Sequence, residues 1–200
     1  MTTDRNSNDV QQFEQWSTAY DHDLLQYFIG YLHRAALDVV RDVRGGEAPE
    51  NILDVGCGTG RLLFRAGERW PSAKLIGADP AVGMASIAHR RIQGSVVFVD
   101  GAEALALPEA SVDVALSTIS FHHWNDRAAG VREVARVLRP GGCFCLADIR
   151  MPAGLSRVIH HHGPNDPHVM ADFFTQAGLQ VAAQKFALAR FVLITAGIKP

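Results

Sequence analysis

The chain has 200 residues, 48% of them hydrophobic, which suits one domain with a substantial core. Its formal net charge of -2, with no basic run longer than Arg90-Arg91, supplies no general attraction to nucleic acid or anionic membranes. The polar opening, Met1 to Asp9, reads as no secretory signal, and no apolar stretch approaches the roughly 20 residues that cross a bilayer.

Residues 1–8 read as disordered. From there to about Arg44 the pattern is helical: Val10, Phe13, Trp16 and Tyr20 recur at three and four, as do Leu25, Ile29, Leu32, Ala36, Val39, Val40 and Val43. A break near Tyr20-Asp21 separates two helices. After Gly45-Gly46, strands and helices alternate. A strand is expected over 51–55 and a helix over 61–69, stopped by Trp70-Pro71. A second strand follows at 74–78. Asp79 is placed to cap a helix to Arg91 with Pro80 at its first position. Strands at 96–99 and 112–118 come next, with a helical turn over Glu103–Leu105 between them. Asp126 is the expected N-cap of a helix to Leu138, which Pro140-Gly141-Gly142 ends. A strand over 143–149, a loop with a short helix at 151–164, a helix over 168–177 ending at Gly178, and strands over 180–186 and 191–196 complete the chain.

This βαβ alternation implies a parallel sheet covered on both faces by helices. The last two strands are joined too tightly for a crossover, so one of them runs antiparallel. Cys57, Cys143 and Cys145 make an odd count, which suggests reduced thiols and a cytoplasmic protein. Cys143 and Cys145 lie too close together on a strand to form a metal knuckle, so they read as core.

The segment Asp54-Val55-Gly56-Cys57-Gly58-Thr59-Gly60 carries the most information. Alternating glycines let the backbone turn tightly and lie directly against a ligand. Amides at the start of the next helix then face polar ligand atoms. In open α/β sheets ligands sit beyond the carboxyl ends of the strands. Asp79, Asp100, the stretch Ser117–Trp124, and Asp148 with Arg150 all fall at such ends. An acid at the end of the second strand suits the two hydroxyls of a ribose. A dinucleotide fingerprint wants a further glycine where Arg61 stands, and Asp54 would set a carboxylate near its phosphates. Both features weigh against a nicotinamide dinucleotide and favour a ligand with a cationic amine.

These residues resemble the class I S-adenosylmethionine-dependent methyltransferases, in particular the small-molecule branch with the menaquinone and ubiquinone C-methyltransferases. The likeness runs from about Phe13 to Gly178. It is carried by 52–60, by 76–84, by 102–108 with Ser111-Val112-Asp113, by Phe121-His122-His123-Trp124, and by Arg132 to Gly142. Phe13, Trp16, Tyr20 and Asp21 are similar to that family's N-terminal lid. The resemblance implies a Rossmann-like fold with a seven-stranded, mostly parallel sheet and one antiparallel strand from the C-terminal hairpin. Residues 1–45 would form a helical lid and 46–200 the cofactor-binding domain.

The cofactor implied is S-adenosyl-L-methionine. Asp54 is expected to hold the methionine ammonium, and Gly56, Cys57 and Gly58 to line the cofactor with backbone. Asp79 would take the ribose hydroxyls, Pro80 would also border the cofactor, Val82, Gly83 or Met84 would wall the adenine, Ser117 or Thr118 would face the methionine part, and Tyr20 would touch the cofactor from the lid. The family carries Gly-Asp-Ala-Glu where this chain has Asp100-Gly101-Ala102-Glu103. Either Asp100 or the backbone at Gly101–Ala102 therefore meets the adenine amino group.

His122 and His123 are the catalytic candidates as base or substrate clamp, His122 the favoured one because it comes sooner after the strand. Their bland reading is packing. Asp148 and Arg150 read as solvated or structural. His160, His161 and His162 invite a zinc site, but consecutive histidines point different ways, so no metal is expected. The acceptor is expected to be a small apolar or aromatic molecule, with no nucleic acid partner and a monomer or homodimer. Ser117-Thr118-Ile119-Ser120 stands where many nucleic-acid amino methylators carry Asn/Asp-Pro-Pro-Tyr/Phe. The rival readings are a non-catalytic S-adenosylmethionine-binding sensor or partner protein, and an NAD-dependent oxidoreductase.

Overall fold

A computed structural model describes residues 25–150 and 166–200, with side chains from residue 28 onward in the first helix. The helices are α1 (Leu25–Val43), α2 (Arg61–Arg69), α3 (Val82–Arg91), α4 (Arg127–Val137) and α5 (Pro167–Gln176). The strands are β1 (Asn51–Val55), β2 (Lys74–Ala78), β3 (Val96–Phe98), β4 (Val112–Thr118), β5 (Leu138–Ile149), β6 (Gln180–Ala187) and β7 (Val192–Ile198). They form one seven-stranded sheet in the order β3-β2-β1-β4-β5-β7-β6. Pairings from β3 across to β5 are parallel, while β7 lies antiparallel between β5 and β6. The closing hairpin thus supplies one reversed strand.

Two-residue periodicity builds a core on each face of this sheet. Ile52, Val114, Leu116, Cys143 and Cys145 pack against α1 and α2 through Leu32, Ala36, Val40, Leu62 and Leu63. Leu53, Val55, Ala115, Phe144 and Leu146 pack against α4 and α5 through Val131, Val134, Met170 and Phe174. Phe144 stacks on Phe174 with ring centroids 5.0 Å apart. Each of these large buried side chains contributes about 1.5–3 kcal/mol relative to exposure. Most of α1 is therefore core, and only its N-terminal part reaches the cleft described below. The three thiols are free and buried. Burial pushes the Cys143 thiol up to about 12 and raises Cys57 and Cys145 as well, so none is a ready nucleophile.

Three boundaries depart from expectation. Helix α3 begins at Val82 with Ala81 as its N-cap, and Pro80 precedes it. Asp79 is no helix cap because its oxygens are used across the strand ends. Strand β5 begins at Leu138 and runs through Pro140-Gly141-Gly142, because its register against β4 slips: Val112 faces Leu138, and Val114 faces Cys143. Gly141 and Gly142 meanwhile exchange backbone hydrogen bonds with Lys199, which holds the bulge to the end of the chain. The stretch Glu103–Leu105 is a loop with no helix. The loop is pinned from behind: the Leu105 amide donates to Glu133 at 3.0 Å, and Arg136 donates to the Leu105 and Leu107 carbonyls. The expected elements at 1–24 and 151–165 lie outside the described residues.

Candidate functional site

The ends of β1, β2 and β4 open into one cleft enclosing about 1040 Å³ of empty space, its mouth included. Its floor is the glycine turn. Gly56 and Cys57 both donate their amides to the Ala78 carbonyl, at 2.8 and 3.1 Å, which folds the turn over the end of β2. Gly56 has a φ of 70°, and a Cβ there would collide with the Ser120 side chain. Only glycine meets both demands. Gly60, with a φ of 80°, seats the start of α2 on Ala88 and Ile92 of α3.

Asp79 ties the second strand to this turn. One of its oxygens accepts the Gly58 amide at 2.8 Å and the other the Ala81 amide at 3.0 Å. Asp54 behaves differently. It is 2% exposed, and among the described residues no group donates a hydrogen bond to its carboxyl. Burial, with the nearby Asp79 charge adding to it, pushes Asp54 up to about 8. A buried acid beside a second acid, at the wall of a cleft, favours a cation beside it.

Most of the expected residues meet at this cleft. Asp54, Gly56, Cys57, Gly58, Asp79, Pro80, Met84, Asp100, Ala102 and His123 all line it. Asp100 also bridges its own loop, accepting the Ala106 amide at 2.9 Å. Two residues are placed elsewhere. Ser117 is fully buried and its hydroxyl has no partner, whereas Thr118 lines the cleft. The strand runs one residue further before the chain turns at Ile119, which has a φ of 52°. That leaves Ser117 inside the sheet. His122 is also turned away from the cleft wall. Its Nδ1 lies 2.7 Å from one oxygen of buried Asp148, and its amide donates to the other at 2.8 Å. Arg127 reaches the His122 carbonyl at 3.4 Å and lies over the Phe121 ring. The order of the two histidines is thus inverted: His123 faces the cleft, and Asp148 is a buried anchor rather than a solvated acid. Tyr20 and His160–His162 lie outside the described residues. Among those described, no group of three metal-ligating side chains occurs.

Several lining residues escaped the sequence reading: Ile29 and His33 from α1, Arg61 and Leu62 from α2, and Asn125 after β4, while Ile119 and Ser120 belong to the stretch expected there. Trp124 had been noticed only as part of a motif. Its ring packs edge-on to Phe121, its Nε1 donates to Ser120 Oγ at 3.0 Å, and Gly130 leaves the room it occupies. Trp124 and Gly130 lie six residues apart, a spacing that carries no pattern on its own. His33 gave no signal beyond being one polar residue on an apolar helix face.

A parallel sheet with one reversed strand near its edge, and an acid-flanked glycine turn at its centre, define the S-adenosylmethionine-binding domain of the class I methyltransferases. Residues 53–146 match the family described as "Methyltransferase domain". The chain is 33% identical over 141 residues to a demethylmenaquinone methyltransferase of Thermus thermophilus, covering 66% of this chain and 62% of that protein. It is 32% identical over 142 residues to a trans-aconitate 2-methyltransferase of Methylobacterium nodulans, covering 70% and 53%. The chain spans less than two thirds of these relatives' length. Among solved structures, a S-adenosylmethionine-dependent methyltransferase from Thermotoga maritima matches 94% of this chain and 98% of its own with a TM-score of 0.68 at 22% identity, which shows the fold. The [4+2]-cyclase SpnF matches at a TM-score of 0.72 and 17% identity over 84% of this chain and 81% of its own. The chain therefore carries a class I S-adenosylmethionine-dependent methyltransferase domain that resembles the menaquinone-type enzymes.

The residues present fit that cofactor. Asp54 is a buried carboxyl that an ammonium would ionise and pair with, and Asp79 lies between the turn and the start of α3. The glycine turn presents backbone without side chains. Helix α2 starts from the turn with no side-chain cap on its first amides.

Proposed function

We propose that the chain transfers the methyl group of S-adenosylmethionine to a small-molecule acceptor. The observation that carries this reading is Asp54: a buried, unpartnered carboxyl beside a second acid repels phosphate and welcomes an ammonium. A dinucleotide would bring its pyrophosphate to that wall. When bound, the cofactor supplies a sulfonium methyl group for in-line displacement.

The chain's own part is placement. Asp54 would hold the methionine ammonium. Asp79 would keep its two backbone bonds and present its remaining lone pairs to the ribose hydroxyls. Met84 and Ala81 would wall the adenine, with Asp100 or the Gly101–Ala102 backbone at its amino edge. Ile119 and Trp124 exclude water from the reacting centre. His123 is the group placed to touch the acceptor or to accept a proton from it.

The acceptor enters under the N-terminal segment, which we assign as a lid over residues 1–45, with 46–200 as the cofactor domain. The relatives are named for small-molecule acceptors, and the cleft has apolar walls. We assign the protein to the cytoplasm, which three free thiols support, as a monomer or homodimer without a nucleic acid partner. No described helix is long and apolar enough to cross a membrane.

The test pairs calorimetry with label transfer. S-adenosylmethionine is expected to bind and NAD to show no heat. The labelled methyl group is expected to reach a metabolite of a cell extract. Tight NAD binding with none for S-adenosylmethionine would sink the reading, and binding without transfer to any acceptor would leave a sensor.

A further inference from the structure

Glu103 lines the cleft together with Gly101, Ala102, Trp124 and Asn125, and it has no share in the contacts that Asp54, Asp79 and Asp100 would make. Its carboxylate is fixed by the start of α4. Oε1 accepts the Asp126 amide at 3.0 Å, and Asp126 caps α4 by accepting the Ala129 amide at 2.9 Å. The other oxygen, Oε2, turns back to the loop after β3, where a Cβ on Gly101 would lie 3.1 Å from it. Among the described residues no N–H or cation meets Oε2. An ionised carboxylate only accepts, so a ligand group that meets this oxygen must bring a donor.

The place matters because Gly101 stands where the resembled family carries an acid. A side chain at 101 would crowd Oε2, so the glycine and the position of the Glu103 carboxylate go together. Asp100, one residue away from that place, is tied into its own loop by the Ala106 amide at 2.9 Å. Ala102, on the other side of Gly101, is buried. Glu103 is thus the acid whose oxygen lies against the Gly101–Ala102 edge of the cleft.

We propose that Glu103 accepts the adenine amino group through Oε2, beside the Gly101–Ala102 backbone and in place of Asp100, and thereby sets the preference of the site for an aminopurine. An ionised acceptor makes a stronger bond to the amino N–H than a neutral one. The bond from Asp126 holds the carboxylate in position beforehand, so little side-chain freedom is lost on binding. The proposal rests on S-adenosylmethionine occupying the cleft.

The test is titration calorimetry with S-adenosylhomocysteine and with its purine analogue, in which hydrogen replaces the amino group. Wild-type protein is expected to bind the amino form about tenfold more tightly. In Glu103→Gln the side-chain oxygen still accepts the Asp126 amide, which leaves the Nε2 donor facing the amino group. The preference should then vanish while affinity for the purine analogue stays at its wild-type value. The change is isosteric and keeps the bond to Asp126, so folding is not at stake. A merely structural role for Glu103 would weaken both ligands alike. Asp100→Asn should keep the wild-type preference. Equal binding of the two ligands by wild-type protein, survival of the preference in Glu103→Gln, an equal loss of both ligands there, or loss of the preference in Asp100→Asn would overturn the proposal alone. A wild-type protein that binds neither ligand overturns the cofactor reading and this one together.

Discussion

The proposed donor end of the cleft is made of backbone, and the proposed acceptor end of side chains. At the donor end, Gly56, Cys57 and Gly58, which follow β1, are fixed by hydrogen bonds to Ala78 and Asp79 at the end of the neighbouring β2. At the acceptor end, His123 and Trp124 reach in from the short turn after β4, Trp124 seated on Phe121 and Ser120. Backbone held by a sheet gives one geometry that serves one cofactor. Side chains on separate supports can change one at a time, which suits a surface that must differ between acceptors. Variants at the two ends should therefore fail differently.

The largest effect is expected at Asp79. Asp79→Ala removes the bond to the Gly58 amide of the glycine turn and the bond to the Ala81 amide, as well as the proposed ribose contact, and should weaken S-adenosylmethionine binding by about 2–4 kcal/mol. Calorimetry that shows wild-type affinity would mean the donor end is not held in this way.

Asp54 gives stability a pH signature of about 1 kcal/mol. Its folded value is raised to about 8 from an ordinary 3.8, so the folded protein keeps a proton that the unfolded chain has released between those limits. Stability therefore falls as pH rises through that window. His33 acts oppositely below its ordinary 6.5, because its folded value is lowered and the unfolded chain binds the extra proton. Between pH 6.5 and 8 the Asp54 effect prevails, and denaturation should show stability falling by up to about 1 kcal/mol per pH unit. Asp54→Asn should flatten this slope. Saturating S-adenosylmethionine should do so as well, since an ammonium favours the ionised carboxyl. A slope that survives both changes would remove Asp54 as the cation site.

Gly56→Ala tests whether the donor end requires backbone alone. The positive φ and the Ser120 side chain should together cost about 1–3 kcal/mol of stability, measured by denaturant, along with cofactor affinity. Pairing it with Ser120→Gly removes the collision but leaves the φ, so it should restore only part of the loss. Full restoration would make the problem one of space alone.

The same contrast explains what was legible in advance. The glycine turn, Asp79 and the strands flanking them are local patterns, readable because a tight turn demands particular residues in a row. The reversed strand was readable because the last connection is too short for a crossover. The start of β5 was not: Pro140-Gly141-Gly142 signals a stop, and only pairing with Lys199, at the far end of the chain, turns that stop into a bulge. His33 and Trp124 were missed as cleft walls for the same kind of reason. The place of His33 depends on how α1 packs beside α2, and that of Trp124 on the room left at Gly130, and no periodicity signals either. Adjacent histidines misled because sequence order says nothing of which ring turns inward. A buried partner decides it, and Asp148 lies 26 residues away.

That partner sets the smallest of the expected effects. Asp148→Asn keeps the shape but removes the charge that holds His122 through both ring and amide. About 1 kcal/mol of stability should be lost, in the range of a net hydrogen bond. S-adenosylmethionine affinity should stay unchanged, because no atom of the pair borders the glycine turn. The ring of His122 lies 4.0 Å from that of His123, so release of the first lets the second drift. Turnover should then fall while cofactor binding holds, and His123→Asn should produce the same split without the loss of stability. If Asp148→Asn instead lowers cofactor affinity and leaves turnover on bound cofactor intact, the two ends of the cleft are coupled through β5, and the division between them fails.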